Sequence, residues 1–265
     1  MKHATPVGQT PTASVHIADW WAAKATQLDG CLHRERPMPV TPHFADRLDA
    51  GERLAASLRA YAAARPLIVL GLPRGGVPVA ARVAEALDAP LDVFVVRKLG
   101  VPGYEEVAMG AIASGGARVF NSDVLLRMRI PVSEVNTVVA SETRELERRE
   151  AAYRGDRHFP PLLDETVIVV DDGAATGASI RVAIRALREL RPRAIIAAVP
   201  VASRDALAAI KREADGCVDI ITPHPFVGVG AWYEDFSEIS DAEVRYHLGA
   251  ARRRWDGSRL LNTIP

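Results

Sequence analysis

Two adjacent carboxylates end a short apolar run of this sequence, and small or hydroxylated residues follow them. The stretch reads VIVVDDGAATGAS, from Val167 to Ser179. Adjacent carboxylates disfavour each other's ionised form unless a cation or a hydroxyl group lies close to both. The small residues predict a turn that opens a helix, where unpaired backbone N–H groups attract anions. The pattern therefore indicates a site for a ligand that carries both hydroxyl groups and a phosphate.

The turn after the acidic pair has the composition of a phosphate-binding loop. Small residues let a phosphate approach the backbone, and two hydroxyl side chains can donate to it; the residues are Ala174, Ala175, Thr176, Gly177, Ala178 and Ser179. Neither the P-loop pattern nor the dinucleotide fingerprint GxGxxG occurs there. A ribose 5-phosphate fits both halves, because its phosphate suits the loop and its diol suits Asp171 and Asp172. The simpler alternative is a capped helix after a strand, with Asp172 exposed.

A second glycine-rich stretch, GLPRGG from Gly71 to Gly76, follows another apolar run. Gly75 and Gly76 permit unusual backbone angles, and their N–H groups, together with the guanidinium of Arg74, can bind phosphate oxygens. Taken alone, the stretch is equally consistent with an ordinary strand-to-helix turn.

Two further segments supply cations and planar rings. The pair Arg97 and Lys98 opens RKLGVPGYEEVAMGA, and taken alone it also fits a solvated basic pair at the end of a strand. The segment TPHPFVGVGAWYEDF, residues 222–236, combines proline, glycine and aromatic residues, which indicates a shaped loop rather than a regular element. Its rings can stack on a planar ligand or pack in the core; they belong to Phe226, Trp232 and Tyr233.

Strands alternate with helices from residue 44 onward. The continuously apolar run PLIVLGL predicts a strand, and mainly apolar runs predict strands at PLDVFVV, VIVVDD, AIIAAVPVA and CVDII, with helices between them and further strand pieces at AMGAIA and ARVF. Strands that are apolar on both faces predict a parallel sheet covered by helices on both sides. Ligands of such sheets bind beyond the carboxyl ends of the strands, where the acidic pair and GLPRGG both fall.

The composition limits the classes of partner. The 265 residues include 33 Lys+Arg and 33 Asp+Glu, so there is no basic footprint for nucleic acid or for a membrane surface. Two distant cysteines, Cys31 and Cys217, argue against a zinc site and are typical of a reducing cytoplasm. No apolar run reaches membrane-spanning length. Residues 1–43 predict a partly ordered N-terminal arm with one short helix, WWAAKATQLDG.

VIVVDDGAATGAS resembles the diphosphoribosyl-binding motif of the type I phosphoribosyltransferases. GLPRGG, VRKLG and GYEEVAMGA resemble one bacterial branch of that family, and the resemblance extends over residues 44–254. It implies an α/β, parallel-sheet type I phosphoribosyltransferase fold with helices on both faces and a small hood around residues 222–236. The domain would occupy residues 44–265 and end in a C-terminal helix.

The resemblance also implies a reaction. The family uses Mg²⁺ and transfers ribose 5-phosphate from phosphoribosyl diphosphate (PRPP) to a small-molecule nitrogen acceptor, with release of pyrophosphate. Asp171, Asp172 and Lys98 would then be catalytic, and the two acids would also hold Mg²⁺, directly or through water. Lys98 would belong to a mobile lid over residues 101–109. Members of the family are often homodimers.

Binding roles follow from the same resemblance. Residues 174–179 would bind the 5-phosphate, and the hood aromatics Phe226, Trp232 and Tyr233 would receive the base. The pyrophosphate loop of the family often contains a non-proline cis peptide bond. The pyrophosphate would be bound by Arg74, Gly75, Gly76 and Arg97.

Two residues depart from the family pattern. Ala175 stands where the 6-oxopurine enzymes have an aspartate that serves as general base, so a hypoxanthine or guanine enzyme is not expected. Gly173 replaces a more usual apolar residue and predicts a more flexible loop. The acceptor is not identified by these residues.

Two other functions are compatible with the same site. One is a PRPP-sensing regulator that binds the ligand without turnover, which predicts nucleic-acid binding tuned by PRPP. The other is an enzyme that uses the ribose 5-phosphate site for phosphorolysis or hydrolysis. The neutral charge and the short arm disfavour the regulator, because neither suits a DNA-binding domain.

Overall fold

The computed structural model describes residues 43–261, with side chains as far as Asp256. The predicted arm at residues 1–43 and its short helix lie outside this part of the chain, apart from His43. The helices and strands are α1 (Arg47–Leu58), β1 (Leu67–Gly71), α2 (Gly76–Ala86), β2 (Leu91–Val93), β3 (Val96–Val101), β4 (Tyr104–Ala113), β5 (Arg118–Phe120), α3 (Ser122–Arg127), α4 (Val132–Arg154), β6 (Thr166–Val170), α5 (Ala178–Glu189), β7 (Ala194–Val201), α6 (Arg204–Lys211), β8 (Gly216–Ile221) and α7 (Asp241–Leu261).

Five strands form a parallel sheet in the order β2-β1-β6-β7-β8. All five residues of β1 and all five of β6 are buried, as expected for strands covered on both faces. Gly71 pairs with Val170, so the carboxyl ends of β1 and β6 coincide, whereas β7 continues three residues past the partner of Val170, Ala198, to Val201. The α/β parallel architecture is confirmed, and its register brings GLPRGG beside the acidic pair.

Helices cover both faces of this sheet. Successive side chains of a strand point to opposite faces of the sheet, so each strand contributes to two apolar layers. On one face, Val69 of β1 packs with Leu54 of α1 and Val83 of α2. On the other face, Val169 of β6 packs with Ile184 of α5. Full burial of each such side chain contributes roughly 1.5–3 kcal/mol relative to exposure. The two apolar layers therefore hold the strand ends in fixed positions.

A second sheet, antiparallel and of three strands, was not predicted. The run PLDVFVV is divided: β2 joins the parallel sheet, and β3 pairs with β4, which in turn pairs with β5. The division falls at Phe94 and Val95, where the backbone N–H of Val95 donates to Ser114 Oγ at 3.0 Å and leaves the parallel ladder. A Pro-Gly turn, with Gly103 at φ +76°, joins β3 to β4. The segment expected as a lid thus forms the tip and second strand of a hairpin.

Arg154, the last residue of α4, fastens this hairpin layer to the parallel sheet. It is 5% exposed, and its guanidinium donates to Asp92 at 2.7 Å, to Glu150 at 2.6 Å, to the carbonyl of Val93 and to Ser114 Oγ. Burial raises the pKa of Asp92 above its ordinary value even though Arg154 opposes the rise. Loss of the arginine would therefore leave a buried carboxyl without its cation.

Arg154→Met is expected to lower the free energy of unfolding by about 3–5 kcal/mol, the usual cost of removing one partner of a buried ion pair. Urea denaturation followed by circular dichroism measures this loss. Arg148→Met, on the exposed side of the same helix, is the matched control and should leave the urea midpoint unchanged. Equal midpoints for the two variants would contradict the role given to Arg154.

The C-terminal helix α7 packs against the rest of the domain through Val244 and Leu248. Tyr153 donates to Asp241 at 2.9 Å, and Arg254 donates to the carbonyls of Ala84 and Ala89 at 3.0 and 3.2 Å, where α2 ends. Among the described helices, none combines the length and the apolar character that a membrane crossing needs.

Candidate functional site

A cleft of about 390 Å³ lies at the carboxyl ends of β1 and β6. Its walls are residues 72–75, the continuous run 171–180 and Val229 of the hood segment. The structure thus brings the glycine-rich loop after β1 together with the acidic pair and the loop before α5, which lie about a hundred residues further along the sequence. Parallel pairing of β1 with β6 is the reason, since it aligns the ends of both strands.

Asp171 and Asp172 follow β6 directly, and Asp172 is held from three sides. Arg47 Nε donates to Asp172 Oδ2 at 2.9 Å, and the hydroxyl of Tyr233 donates to the carbonyl oxygen of Asp172 at 2.6 Å. The backbone N–H of Asp172 donates to Asp171 Oδ1 at 3.0 Å. Protein donors therefore fix the orientation of both carboxylates before any ligand binds.

Burial dominates the ionisation of the pair. It raises the pKa of Asp171 well above its ordinary value, and the neighbouring charge of Asp172 raises it further. Burial also raises the pKa of Asp172, although the Arg47 guanidinium opposes this rise. Two partly desolvated carboxylates with a single cation beside them attract a further positive group or hydroxyl donors.

The loop from Ala174 to Gly177 presents unpaired donors. Among the described residues, no protein acceptor is bound by the backbone N–H groups of Ala175, Thr176 and Gly177. Gly177, at φ +71°, takes the left-handed conformation that glycine adopts most readily, and α5 begins directly after it. These N–H groups and the positive end of α5 make a concave anion site.

Ser203 stabilises this loop through hydrogen bonds to its carbonyl groups. Its hydroxyl donates to the carbonyl of Ala175 at 2.7 Å, and its backbone N–H donates to the carbonyl of Ala174 at 2.9 Å. Ser203 is also the N-cap of α6, where its hydroxyl oxygen accepts from the N–H of Ala206. The carbonyls of the loop are thereby turned away from the cleft, which leaves its N–H groups for a ligand.

The loop after β1 packs directly against the acidic pair. A Cβ atom at Gly75 would lie 1.9 Å from Asp172 Oδ2, and one at Gly76 would lie 2.6 Å from the carbonyl oxygen of Val170. Gly75 has φ −61° and ψ −32°, and Gly76 begins α2, so neither glycine adopts the unusual backbone angles that this residue type permits. Glycine is needed here because no side chain fits between the loop and the acids.

Arg74 reaches over the same cleft. Its peptide bond with Pro73 is cis, as the resemblance implies for this loop, and its guanidinium contacts the carboxylate of Glu238 beyond the hood. Glu238 is largely exposed, so an anionic ligand can replace it at low cost.

Lys98 and Arg97 point to different partners because successive residues of a strand face opposite sides. Lys98 lines a second cavity of about 470 Å³, which shares Pro73 and Ser179 with the main cleft. Its ammonium contacts the carbonyl of Glu106 at 3.4 Å. Arg97 instead pairs with Glu142 of α4 at 2.6 Å. The structure brings Lys98 to the edge of the cleft but engages Arg97 elsewhere.

The hood aromatics are largely used for packing. Tyr233 is 4% exposed, and its ring lies between Phe44 and Phe236 with centroids at 5.2 and 5.0 Å. The expectation that Tyr233 stacks on a base is therefore corrected. Burial raises its pKa well above the ordinary value, which keeps its hydroxyl a donor to Asp172. Phe226 and Trp232 are half-buried against the same cluster.

Gly173 is also corrected by the structure. A Cβ atom there would lie 2.4 Å from Val229 and 3.0 Å from Val201. Glycine is needed at this position because the hood packs closely onto the acidic loop. The expectation that Gly173 makes the loop flexible is corrected accordingly.

Sequence reasoning missed three residues of the site: Arg47, Ser203 and Glu238. Arg47 carried a usable signal, because it is the first residue of α1 and a cation is unfavourable at the positive end of a helix. A residue placed against that preference needs a compensating contact, which Asp172 provides. Ser203 and Glu238 carried no comparable signal.

The acidic pair is also the candidate metal-binding group. In residues 43–256, no three or more His, Cys, Asp or Glu side chains cluster so as to hold a metal. Two carboxylates suit Mg²⁺, which keeps several waters and takes other oxygens from the phosphates of a bound ligand.

Comparison with known proteins agrees with this geometry. A family model described as a phosphoribosyl transferase domain matches residues 44–234. Proteins from two strains of Mycobacterium tuberculosis, provisionally named phosphoribosyl transferases, are each 43% identical over 210 residues. These matches cover 79% of this chain and 47% of each relative, so the chain spans about half the length of the curated relatives.

One solved structure is similar to this chain over nearly the whole length of the solved protein. The crystal structure of Thermus thermophilus TT1426 is 40% identical, with a TM-score of 0.68, and the match covers 78% of this chain and 97% of that chain. The family model extends over well over half of the sequence and contains both loops of the cleft. The chain therefore belongs to the phosphoribosyltransferase family and has its type I fold.

Proposed function

We propose that the protein is a Mg²⁺-dependent phosphoribosyltransferase that transfers ribose 5-phosphate from PRPP to a small nitrogen acceptor. The observation that carries the proposal is the single cleft in which unpaired N–H groups, two carboxylates and the arginine-bearing loop after β1 meet. A diphosphorylated sugar phosphate needs these three groups in this order. Family membership supports the reaction class, and the acceptor stays open.

Each part of PRPP has a counterpart in the cleft. The 5-phosphate would accept from the N–H groups of residues 175–177 and from the hydroxyls of Thr176 and Ser179. The 2- and 3-hydroxyls would donate to Asp171 and Asp172. The diphosphate would lie along Gly75 and Gly76 and take the guanidinium of Arg74 from Glu238.

The reaction breaks the bond between C1 of the ribose and the diphosphate oxygen and forms a bond from C1 to the acceptor nitrogen, which loses a proton. Positive charge develops on the sugar as pyrophosphate leaves, and Asp171 and Asp172 would stabilise it. Arg74 and Lys98 would neutralise the leaving group. Mg²⁺, held by the two acids directly or through water, would supply further charge to the phosphate oxygens.

The acceptor must meet C1 on the side of the hood. Ala175 cannot take a proton, so the acceptor's proton must leave to another group or to water. Phe226 and Trp232 remain the aromatic candidates there, since Tyr233 is buried. These features favour an acceptor whose nitrogen is nucleophilic without a general base at position 175.

A screen of nucleobases and small amines tests the proposal. Purified protein is mixed with PRPP and each acceptor, and pyrophosphate release is followed with Mg²⁺ and with EDTA. Release that depends on both Mg²⁺ and one acceptor class supports the transferase. Release without any acceptor would instead indicate hydrolysis of PRPP, and binding without release would indicate a PRPP sensor.

Lys98→Ala is expected to lower kcat about 10²-fold while the affinity for PRPP changes much less, because Lys98 would act mainly on the leaving pyrophosphate. Steady-state kinetics and calorimetric titration separate the two quantities. Lys211→Ala, at the exposed end of α6, is the control and should match the wild type. An equal loss of affinity with kcat unchanged would contradict the role of Lys98.

A further inference from the structure

One buried guanidinium connects three segments of the chain. Arg47 of α1 is 8% exposed. Its Nε donates to Asp172 Oδ2 at 2.9 Å, and its Nη1 donates to the carbonyl of Ser237 at 2.8 Å. Its guanidinium carbon lies 3.9 Å from the ring centroid of Phe236. The arginine thus joins α1 to the acidic pair and to the chain that follows the hood.

The same guanidinium lies beneath the loop after β1. A Cβ atom at Gly75 would lie 3.2 Å from Arg47 Nε, as well as 1.9 Å from Asp172 Oδ2. Gly75 therefore packs directly against the ion pair of Arg47 and Asp172. A shift of the arginine would move the carboxylate and the overlying loop together.

The two hydrogen bonds of Arg47 have different directions, and a planar guanidinium can satisfy both without rotating. The bond to Asp172 engages Oδ2, which leaves Oδ1 for a ligand. The bond to Ser237 and the contact with Phe236 set where the guanidinium lies. An ammonium group could replace the charge but not this fork of donors.

We propose that Arg47 is a positioning residue for phosphoribosyl transfer. It orients Asp172 so that Oδ1 can accept from the sugar hydroxyl, and it sets the distance between Gly75 and the carboxylate of Asp172. It does not touch the substrate itself. This inference rests on the proposed function, because it assigns Arg47 to the PRPP site of that reaction.

Titration calorimetry of Mg²⁺-PRPP against four proteins tests the proposal: the wild type, Arg47→Lys, Arg47→Met and Arg53→Met. Arg47→Lys should remain folded yet bind about 10- to 100-fold more weakly, as is typical when a partner that orients a ligating residue is lost. Arg53→Met is the matched control on the same helix, since Arg53 pairs with Asp49 at the surface. It should bind like the wild type.

Steady-state kinetics add a readout that a purely structural arginine would not move. For Arg47→Lys, KM for PRPP should rise and kcat should fall, whereas thermal unfolding should change little. Wild-type kinetics in a folded Arg47→Lys protein would overturn the proposal. If Arg47→Met does not fold, Arg47→Lys alone decides.

A double-mutant cycle separates action through Asp172 from any other effect. If Arg47 acts through that carboxylate, adding Arg47→Lys to Asp172→Asn should cost little further affinity. Fully additive losses would overturn the proposal. Failure of the wild type itself to bind Mg²⁺-PRPP would instead reject the proposed function, so the two failures are distinguishable.

Discussion

Asp171→Asn is expected to lower turnover by about 10²–10³-fold and, at the same time, to stabilise the ligand-free protein. Loss of one preorganised charge that faces the developing cation costs about 10²–10³-fold in rate. Asparagine keeps the shape of the side chain and an oxygen that can accept from the N–H of Asp172, but it carries no charge to desolvate. Pyrophosphate release and urea denaturation in EDTA measure the two effects.

The pH dependence of the stability follows from the sign of the pKa change. Burial raises the pKa of Asp171 in the folded state above the ordinary value of 3.8, so the folded protein binds this proton more tightly than the unfolded chain. The carboxyl therefore favours the folded state below that value, and this contribution is lost as the pH rises through the folded-state pKa. Asp171→Asn should raise the urea midpoint at pH 7 and have no such advantage near pH 3.

Asp172→Asn is the informative contrast. It should lower turnover to a similar extent, but it should also lower the free energy of unfolding by about 3–5 kcal/mol, because it leaves Arg47 buried without its anion. If Asp171→Asn raises the free energy of unfolding, Asp172→Asn lowers it and both lose activity, the result would support different environments for the two carboxylates, of which only Asp172 is paired with Arg47. Substantial turnover in either variant would refute their assigned roles.

Gly75→Ala is expected to reduce turnover about 10²-fold or more. The backbone angles of Gly75 are helical and suit alanine, so the added methyl group acts only through its overlap with Asp172 Oδ2 at 1.9 Å. The carboxylate or the loop must move by more than an ångström, and a displacement of that size in a catalytic group costs about 10²-fold. Overpacking should also cost about 1–3 kcal/mol of stability.

Gly249→Ala is the matched control for this substitution. Gly249 lies within α7, where a Cβ atom would make an ordinary contact of 3.4 Å with Arg253. It should leave turnover unchanged and stabilise the helix by about 0.5–1 kcal/mol. Wild-type turnover in Gly75→Ala would show that the loop is free to move away from the acids.

Much of the site was predictable because its chemistry is contiguous in sequence. Asp171 to Ser179 form one unbroken strand-to-helix turn, and the apolar run before them is a buried strand, as its composition predicts. The residues that orient this turn could not be read in the same way. Arg47 binds the carboxylate of Asp172 from 125 residues away, and Tyr233 binds the backbone carbonyl of Asp172 from 61 residues away. The position of Arg47 at the start of a helix indicates a need for a partner, but nothing local to either residue identifies Asp172.

The antiparallel sheet shows the same limit. PLDVFVV is apolar apart from Asp92, so its composition favours one buried strand, and only the contacts of Val95 and Ser114 divide it. The Pro-Gly turn at residues 102–103 did signal a hairpin. That residues 101–109 close over the site as a lid stays a prediction, because a hairpin is compatible with it.

The sequence by itself determined the alternation of strands and helices, the acidic pair and the phosphate loop, because periodicity and composition act over a few neighbouring residues. Only the tertiary structure decided that Arg47 lies beneath Gly75, that Tyr233 is a support and not a base-stacking ring, and that Arg97 pairs with Glu142. These outcomes depend on which elements pack together. Long-range packing is set by the whole chain and leaves little trace in any one segment.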